Sequence, residues 1–281
     1  MASFASKTFS AASYLAARPR YPASLYNYVI DYCRKHCVDG RLENALDVGC
    51  GPGANTAPLL ESFEKVCGVD PSPGMIEQAK KQVTDAARLS FYQGTEQDFA
   101  DSISPESIDL ITVAQAIHWF DAPKFYDNVY RALKPNGTVA FWGYLDPVFV
   151  DHPKVSDLHM ECLYGENALG PYWEPGRKLL REKLVFADPP TDRFTDIERV
   201  ENMSLQPDMS SPIELHRQCA FSDYISLMKT ASSYHNWKQV NPNSPDVVDT
   251  FAQQAKQLEN WSDNTQITIK WLTVLVLATK N

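Results

Sequence analysis

Between residues 45 and 144, short and nearly all-apolar runs alternate with longer amphipathic ones. The runs at 45–49, 65–70, 89–93, 108–113 and 138–144 read as strands, several as apolar as parallel strands covered on both faces. Between them, 72–87 opens with Ser72 at a capping position and spaces Met75, Ile76, Ala79 and Val83 at helical period. The segment 121–133 starts on Asp-Ala-Pro and stops before Lys-Pro-Asn-Gly, a helix start followed by a turn. Strand, helix and strand repeated in this order predict an α/β, doubly wound sheet.

Past Tyr144 the rhythm breaks. Residues 145–190 are rich in Pro, Gly and aromatics, including Gly170-Pro171-Tyr172-Trp173-Glu174-Pro175-Gly176. A segment this long and irregular reads as an insertion over the carboxyl edge of the sheet. A strand is expected at 194–205, a helix at 221–238, a loop at 241–246 and a long closing strand at 267–279. The chain of 281 residues is thus one domain, with the core sheet in about 40–144 and 193–281.

Acidic residues outnumber basic ones, 35 to 26, for a formal charge of -9. That balance disfavours a phosphate backbone as partner, since nucleic-acid affinity needs clustered Lys and Arg. A small molecule fits better. The longest apolar stretch, 271–278, is far too short to span a bilayer, so no membrane association is expected. The six cysteines show no disulfide framework, and Cys33 and Cys37 have no second ligand pair at metal-finger spacing. No metal is expected, and a reduced, cytoplasmic chain is. The first twenty residues are rich in Ala, Ser and Arg, and no acid precedes Asp31, which also suits a transit peptide. Oligomeric state is not readable.

The turn after the first strand reads Asp47-x-Gly49-x-Gly51-x-Gly53. Glycines there permit a tight turn and let backbone approach a ligand at a helix start. Dinucleotide sites use a similar turn, but here the third Gly follows the second by two positions rather than three. A carboxylate at Asp47 aimed into the crevice would repel a pyrophosphate, whereas S-adenosylmethionine (SAM) carries an ammonium and a sulfonium and no phosphate. Asp70 ends the second strand, where an acid either accepts both ribose hydroxyls or caps the next helix. Thr95 and Glu96 follow the third strand, where adenine-facing groups or merely solvated ones would lie. Gln115 and His118 follow the fourth.

In order, LDVGCGPG, VDPSPGMIEQAK, AQAIHWFD and LKPNGTVAFWGY resemble the class I SAM-dependent methyltransferases. Tyr14-x-x-x-Arg18-Pro19-x-Tyr21-Pro22 and Leu169-Gly170-Pro171-Tyr172-Trp173-Glu174 resemble a narrower branch of small-molecule (type 11) enzymes that includes the trans-aconitate methyltransferases. The resemblance runs from about residue 8 to the C-terminus. It implies a Rossmann-like, seven-stranded sheet with a reversed last strand, a helical and loop insertion at 145–190, and an N-terminal closing segment, 1–39, that belongs to the fold. By the same resemblance, Asp47, Gly49 and Gly51 hold the methionine part of SAM, Asp70 the ribose, and Thr95 and Glu96 the adenine region. Gln115 and His118 lie where the methyl faces its acceptor. Tyr14, Arg18 and Tyr21 close over the cofactor, with Arg18 suited to the SAM carboxylate.

For the acceptor, His118 is the catalytic candidate, as a general base with a suitable ordinary pKa, or else packs structurally at the next helix start. Trp119, Trp142, Tyr144, Tyr172 and Trp173 are expected to wall the acceptor or the cofactor, any one of them alternatively being core, with Arg177, Arg18, Arg20, His152 and His235 as candidate anchors for an anion. A carboxylate acceptor, giving a methyl ester, is slightly favoured. S-methylation of a thiol or O-methylation of a hydroxyl on a secondary metabolite or toxin is the alternative. An NAD(P)-dependent oxidoreductase or a non-catalytic SAM-binding protein remain as readings from other classes.

Overall fold

A computed structural model describes residues 19–37 and 40–281. Eight strands form one sheet: β1 (Asn44–Val48), β2 (Lys65–Asp70), β3 (Leu89–Gln93), β4 (Ile108–Ala114), β5 (Leu133–Phe149), β6 (Phe194–Asn202), β7 (Leu215–Ala220) and β8 (Gln266–Lys280). Their order is β3-β2-β1-β4-β5-β8-β6, with β7 also paired to β8. The β1–β2, β1–β4, β2–β3 and β4–β5 pairs are parallel; β8 runs antiparallel to β5, β6 and β7. The doubly wound sheet with a reversed last strand is therefore present, with one strand more than the seven expected. The extra strand is β7. It lies end to end with β6 along one edge of β8, whose fifteen residues are long enough to carry both partners.

Strand β4 is buried at every position, as a central parallel strand must be when both faces are covered. Helices α1 (Ala23–His36), α2 (Pro73–Lys80), α3 (Ala122–Ala132), α4 (Pro153–Tyr164), α5 (Gly176–Arg181), α6 (Phe221–Met228), α7 (Ser232–Val240) and α8 (Val247–Glu259) complete the described fold. In α3 the Asp121 carboxylate accepts from Lys124 N–H, Pro123 lies in the first turn, and Phe125, Tyr126, Val129 and Ala132 make the buried face.

Several elements depart from the expectation, among them the following. Helix α2 ends at Lys80 rather than running to residue 87: Gln82 turns back to donate to Pro52 O, and Asp85 accepts from Ala87 N–H, diverting the backbone into the turn before β3. Strand β5 continues to Phe149, beyond the expected 144, with its ladder irregular between Tyr144 and Pro147, where Pro147 has no N–H to give. The helix expected at 221–238 is broken in two, with the Thr230 hydroxyl donating to Leu227 O and Ala231 extended. Helix α8 was not foreseen, although Asp246, which accepts from Val248 and Asp249 N–H, and Asn260 in left-handed geometry mark its two ends.

The carboxyl half of β5 and the start of β8 project past the end of β4. With β7, α4, α6, α7 and α8 they enclose a separate aromatic core including Phe149, Phe221, Tyr224, Phe251 and Trp271. This layer stands over the carboxyl edge of the parallel strands, where open α/β sheets bind ligands. Of residues 145–190, the end of β5 and α4 contribute to this layer, while Leu180 of α5 packs into the core of the parallel sheet. All six cysteines are unlinked thiols, and no helix among the described residues is long and apolar enough to cross a membrane.

Candidate active site

The turn from β1 into the crevice is anchored by Gly49 and Cys50 N–H groups, which both donate to Val69 O at 2.8 and 3.0 Å. Gly49 has φ +73°, and a Cβ there would stand 2.6 Å from Ala116 Cβ. Gly51 has φ +55°, yet a Cβ on it would meet nothing within 4 Å. Gly49 is thus demanded by packing beneath the fourth strand, while Gly51 exposes backbone on an open side, the geometry of a ligand cradle.

Asp70 ties this turn to β2. One carboxylate oxygen accepts from Gly51 N–H and the other from Ser72 N–H, both at 2.9 Å. Asp70 thus supports the start of α2, the helix-start role weighed for it, and each carboxylate oxygen keeps a lone pair beyond these bonds. Asp47 is fully buried. Its oxygens accept from Thr56 Oγ1 at 2.6 Å and Thr112 Oγ1 at 3.0 Å, Thr112 being its ladder partner on β4. The carboxylate therefore braces the turn from below, and the expectation that it points into the crevice is corrected: it is buried against Thr56 and Thr112. Burial pushes its pKa up to about 6, the two hydroxyls pull it back, and Asp70 adds to the rise. Burial also raises Asp70, against two backbone N–H groups that lower it.

Thr95 and Glu96 sit in a half-exposed loop after β3. Thr95 N–H donates to Asp98, Thr95 Oγ1 accepts from Gln97 N–H, and Glu96 accepts from the Gln97 side chain. Gln115, at the end of β4, has φ +55°, and its side-chain amide is engaged on both sides. Oε1 accepts from Tyr144 N–H and from the Tyr21 hydroxyl, and Nε2 donates to Tyr144 O. His118 and Trp119 follow on a short 3-10 turn, their rings 5.0 Å apart.

Beyond Gln115 and His118 lies a cavity of about 140 Å³, walled by Trp119, Tyr144, Trp173, Arg177 and Trp271 and reached by Pro19. Pro19 is the first described residue, and Tyr14 and Arg18 lie outside the described residues. Trp142 is not part of the wall. It is 1% exposed in the sheet core, edge-on to Tyr21 and Tyr26. Tyr172 is likewise outside the lining, tied through its carbonyl to Asn236 and through its hydroxyl to Asn241. His152 pairs with Glu259 and His235 with Gln239; neither lines the cavity, nor does Arg20.

Arg177 does line it, with its charge already engaged. It pairs with Asp146 and donates to the Tyr164 hydroxyl at 2.8 Å, and its guanidinium lies 4.6 Å over the Trp173 ring. Arg181 reaches the other Asp146 oxygen at 3.2 Å, and Tyr164 donates to Asp146 at 2.6 Å. Burial by itself lowers the Arg177 pKa; Asp146 and Tyr164 outweigh it and raise it. Asp146, Tyr164, His159, Glu174 and Tyr224 were not read as site residues. The aromatic density of 145–190 hinted at Tyr164 and its neighbours but not at Tyr224; the Arg177–Tyr164 and His159–Tyr224 partners lie 13 and 65 positions apart in sequence.

A methyltransferase domain family matches residues 46–141. A Saccharomyces cerevisiae protein described as a probable S-adenosylmethionine-dependent methyltransferase, CRG1, is 31% identical over 99% of this chain and 98% of its own length. A Dictyostelium discoideum protein named as a methyltransferase is 30% identical over 95% of this chain and 92% of its own. Among solved structures, a type II methyltransferase from Anaeromyxobacter dehalogenans superposes with a TM-score of 0.71 at 23% identity, covering 93% of this chain and 97% of that one, a likeness of fold. The Gly-rich turn, the acid ending β2 and the reversed last strand thus sit in a chain that belongs, over nearly its whole length, to the class I SAM-dependent methyltransferases.

Proposed function

We propose that this methyltransferase acts on a compact, weakly charged and largely apolar small molecule, methylating an oxygen or sulfur nucleophile. The observation that carries this reading is the state of Arg177. Among the described residues it is the only arginine or lysine in the cavity wall, and Asp146 already neutralises it. Glu174 brings a carboxylate to the same wall, in which Asp146 itself does not lie. A polycarboxylic acid would have to displace Asp146 from a buried pair, which is costly. Aromatic and aliphatic groups such as Leu145, Leu163, Trp173 and Trp271 favour burial of apolar surface instead.

SAM, when bound, supplies an activated methyl group on a sulfonium. The Gly49–Gly51 turn, Asp70, and the Thr95–Glu96 loop are suited to hold it, with Asp47 contributing negative charge beneath the turn. Gln115 and His118 stand at the junction with the acceptor cavity. The chain's task is then to hold the nucleophile in line and exclude water, where positioning can contribute on the order of 7 kcal/mol. In this reading His118, which lines the cavity, takes a proton from a hydroxyl or thiol, which a carboxylate would not need to give up. The six free thiols support a reducing, cytoplasmic setting.

The test is incubation with methyl-labelled SAM and size-matched carboxylic acids, thiols and phenols, with products identified by mass. Apolar thiols or phenols should outpace tricarboxylic acids. A tricarboxylate monoester as the dominant product would overturn the reading in favour of the aconitate-like acceptor.

A further inference from the structure

One polar pair in the cavity wall has no part in the site described so far. His159 on α4 and Tyr224 on α6 both line the cavity, and His159 Nε2 stands 2.8 Å from the Tyr224 hydroxyl. They are 1% and 3% exposed. Around them the packing is aromatic: Phe149 and Phe251 lie 5.6 and 5.5 Å from the imidazole, and Phe149 lies 5.1 Å from the Tyr224 ring. His159 Nδ1 is buried with no hydrogen-bond partner among the described residues. An apolar pair of the same shape would fill this place without leaving a polar atom unsatisfied. Retained polarity next to a cavity is what a ligand-recognising group looks like.

Charge does not explain the pair. Burial pushes His159 down to about 4, with Asp146 raising it and Arg177 lowering it, so the imidazole is neutral. Burial likewise keeps the Tyr224 hydroxyl protonated. A neutral imidazole and a phenol share one proton in their bond and can do so in two senses. Either Tyr224 donates to Nε2 and its oxygen is left to accept from a ligand, or Nε2–H donates to Tyr224 and the phenol proton is left to give. The pair can therefore match a neutral carbonyl, ether or hydroxyl oxygen without introducing charge.

We propose that the Tyr224 hydroxyl, oriented by His159, is the specificity-determining contact for a neutral oxygen of the acceptor, remote from the atom that is methylated. His159 acts as a positioning residue. The proposal rests on the reading of the cavity as the site of a compact, weakly charged acceptor.

Phenol and toluene, nearly equal in size and differing in one hydroxyl, are suitable probes. Their affinities for the full chain saturated with S-adenosylhomocysteine are measured by calorimetry. The wild type should bind phenol ~10-fold or more tighter than toluene, in line with the loss of one hydrogen bond in a dry site. Tyr224→Phe should bring that ratio near one while leaving toluene binding unchanged. His159→Phe should reduce the ratio, and His159→Gln, which keeps a polar group for the hydroxyl, should recover part of it. Unchanged phenol preference in a folded Tyr224→Phe protein overturns the proposal and leaves the small-acceptor reading standing. If neither probe binds the wild type, both fall.

Discussion

The side-chain amide of Gln115 hydrogen-bonds both backbone groups of Tyr144, accepting from its N–H at 2.7 Å and donating to its carbonyl at 3.0 Å. This clamp joins the end of β4 to β5 just before the β5 ladder becomes irregular, and it holds Gln115 in a left-handed conformation. Gln115→Ala removes both of these hydrogen bonds to Tyr144 and should destabilise the fold by ~1–3 kcal/mol. Urea unfolding reads the stability, and a rate assay should show kcat falling more than SAM affinity. A Gln115→Ala protein of full stability would remove the clamp from the account.

Two glycines of the cofactor turn should respond oppositely. At Gly49 an alanine would collide with Ala116 Cβ at 2.6 Å, and the chain should lose soluble, folded protein. Gly51→Ala meets nothing within 4 Å. It should cost only about 1 kcal/mol for its left-handed backbone, yet weaken SAM binding ~10-fold or more by filling the ligand side of the turn. Thermal unfolding and calorimetry on the same sample separate the two effects.

SAM affinity should depend on pH through Asp47. Its folded pKa of about 6 lies above its ordinary 3.8, so burial of the ionised form costs ~3 kcal/mol at neutral pH. The sign follows from linkage: the stability Asp47 contributes is complete below about pH 3.8 and is lost as pH rises through about 6. A ligand with an ammonium and a sulfonium favours the ionised carboxylate, so binding should tighten as pH rises. Between pH 7.5 and 5 the SAM dissociation constant is expected to rise ~10-fold, with an inflection near 6. Asp47→Asn should flatten that profile; an identical profile in the variant would assign it to another group.

His159 predicts the opposite slope in stability. Its folded pKa of about 4 lies below the ordinary 6.5, so its contribution is present above about 6.5 and is lost as pH falls through about 4. His159→Phe should therefore keep more of its neutral-pH Tm at pH 4.5 than the wild type does. Differential scanning calorimetry at the two pH values decides it.

Asp70→Ala should raise the SAM dissociation constant ~10-fold or more, from lost hydrogen bonds to a ligand hydroxyl pair. Because Asp70 also holds Gly51 and Ser72 N–H groups, Asp70→Asn is the informative companion. It keeps one acceptor oxygen and should lose less. Unchanged SAM affinity in a folded Asp70→Ala protein would leave Asp70 only its structural role.

Features set by neighbours in the chain were legible in the sequence. The apolar runs of β1 to β4, the Asp121 cap of α3, and the left-handed turn at Gly51 depend on local period and backbone geometry, which a few adjacent residues dictate. Composition likewise bore on partner class. What a side chain faces was decided only by tertiary structure. Trp142 and Tyr144 share one face of β5, yet Trp142 packs under Tyr21 and Tyr26 while Tyr144, two residues on, reaches the cavity because the strand outruns its neighbour β4. Asp47 had the right chemistry for the cofactor crevice, but its ladder partner Thr112, 65 positions away, turned it into a buried brace. Arg177 read as a free anion anchor until Asp146 and Tyr164 were folded against it, and His159 met Tyr224 only when α4 and α6 packed on the extended ends of β5 and β8. Long-range pairing of this kind leaves no periodic trace in sequence. The tight glycine turn after β1 could therefore be read before folding, and the cavity wall, built from distant elements, could not.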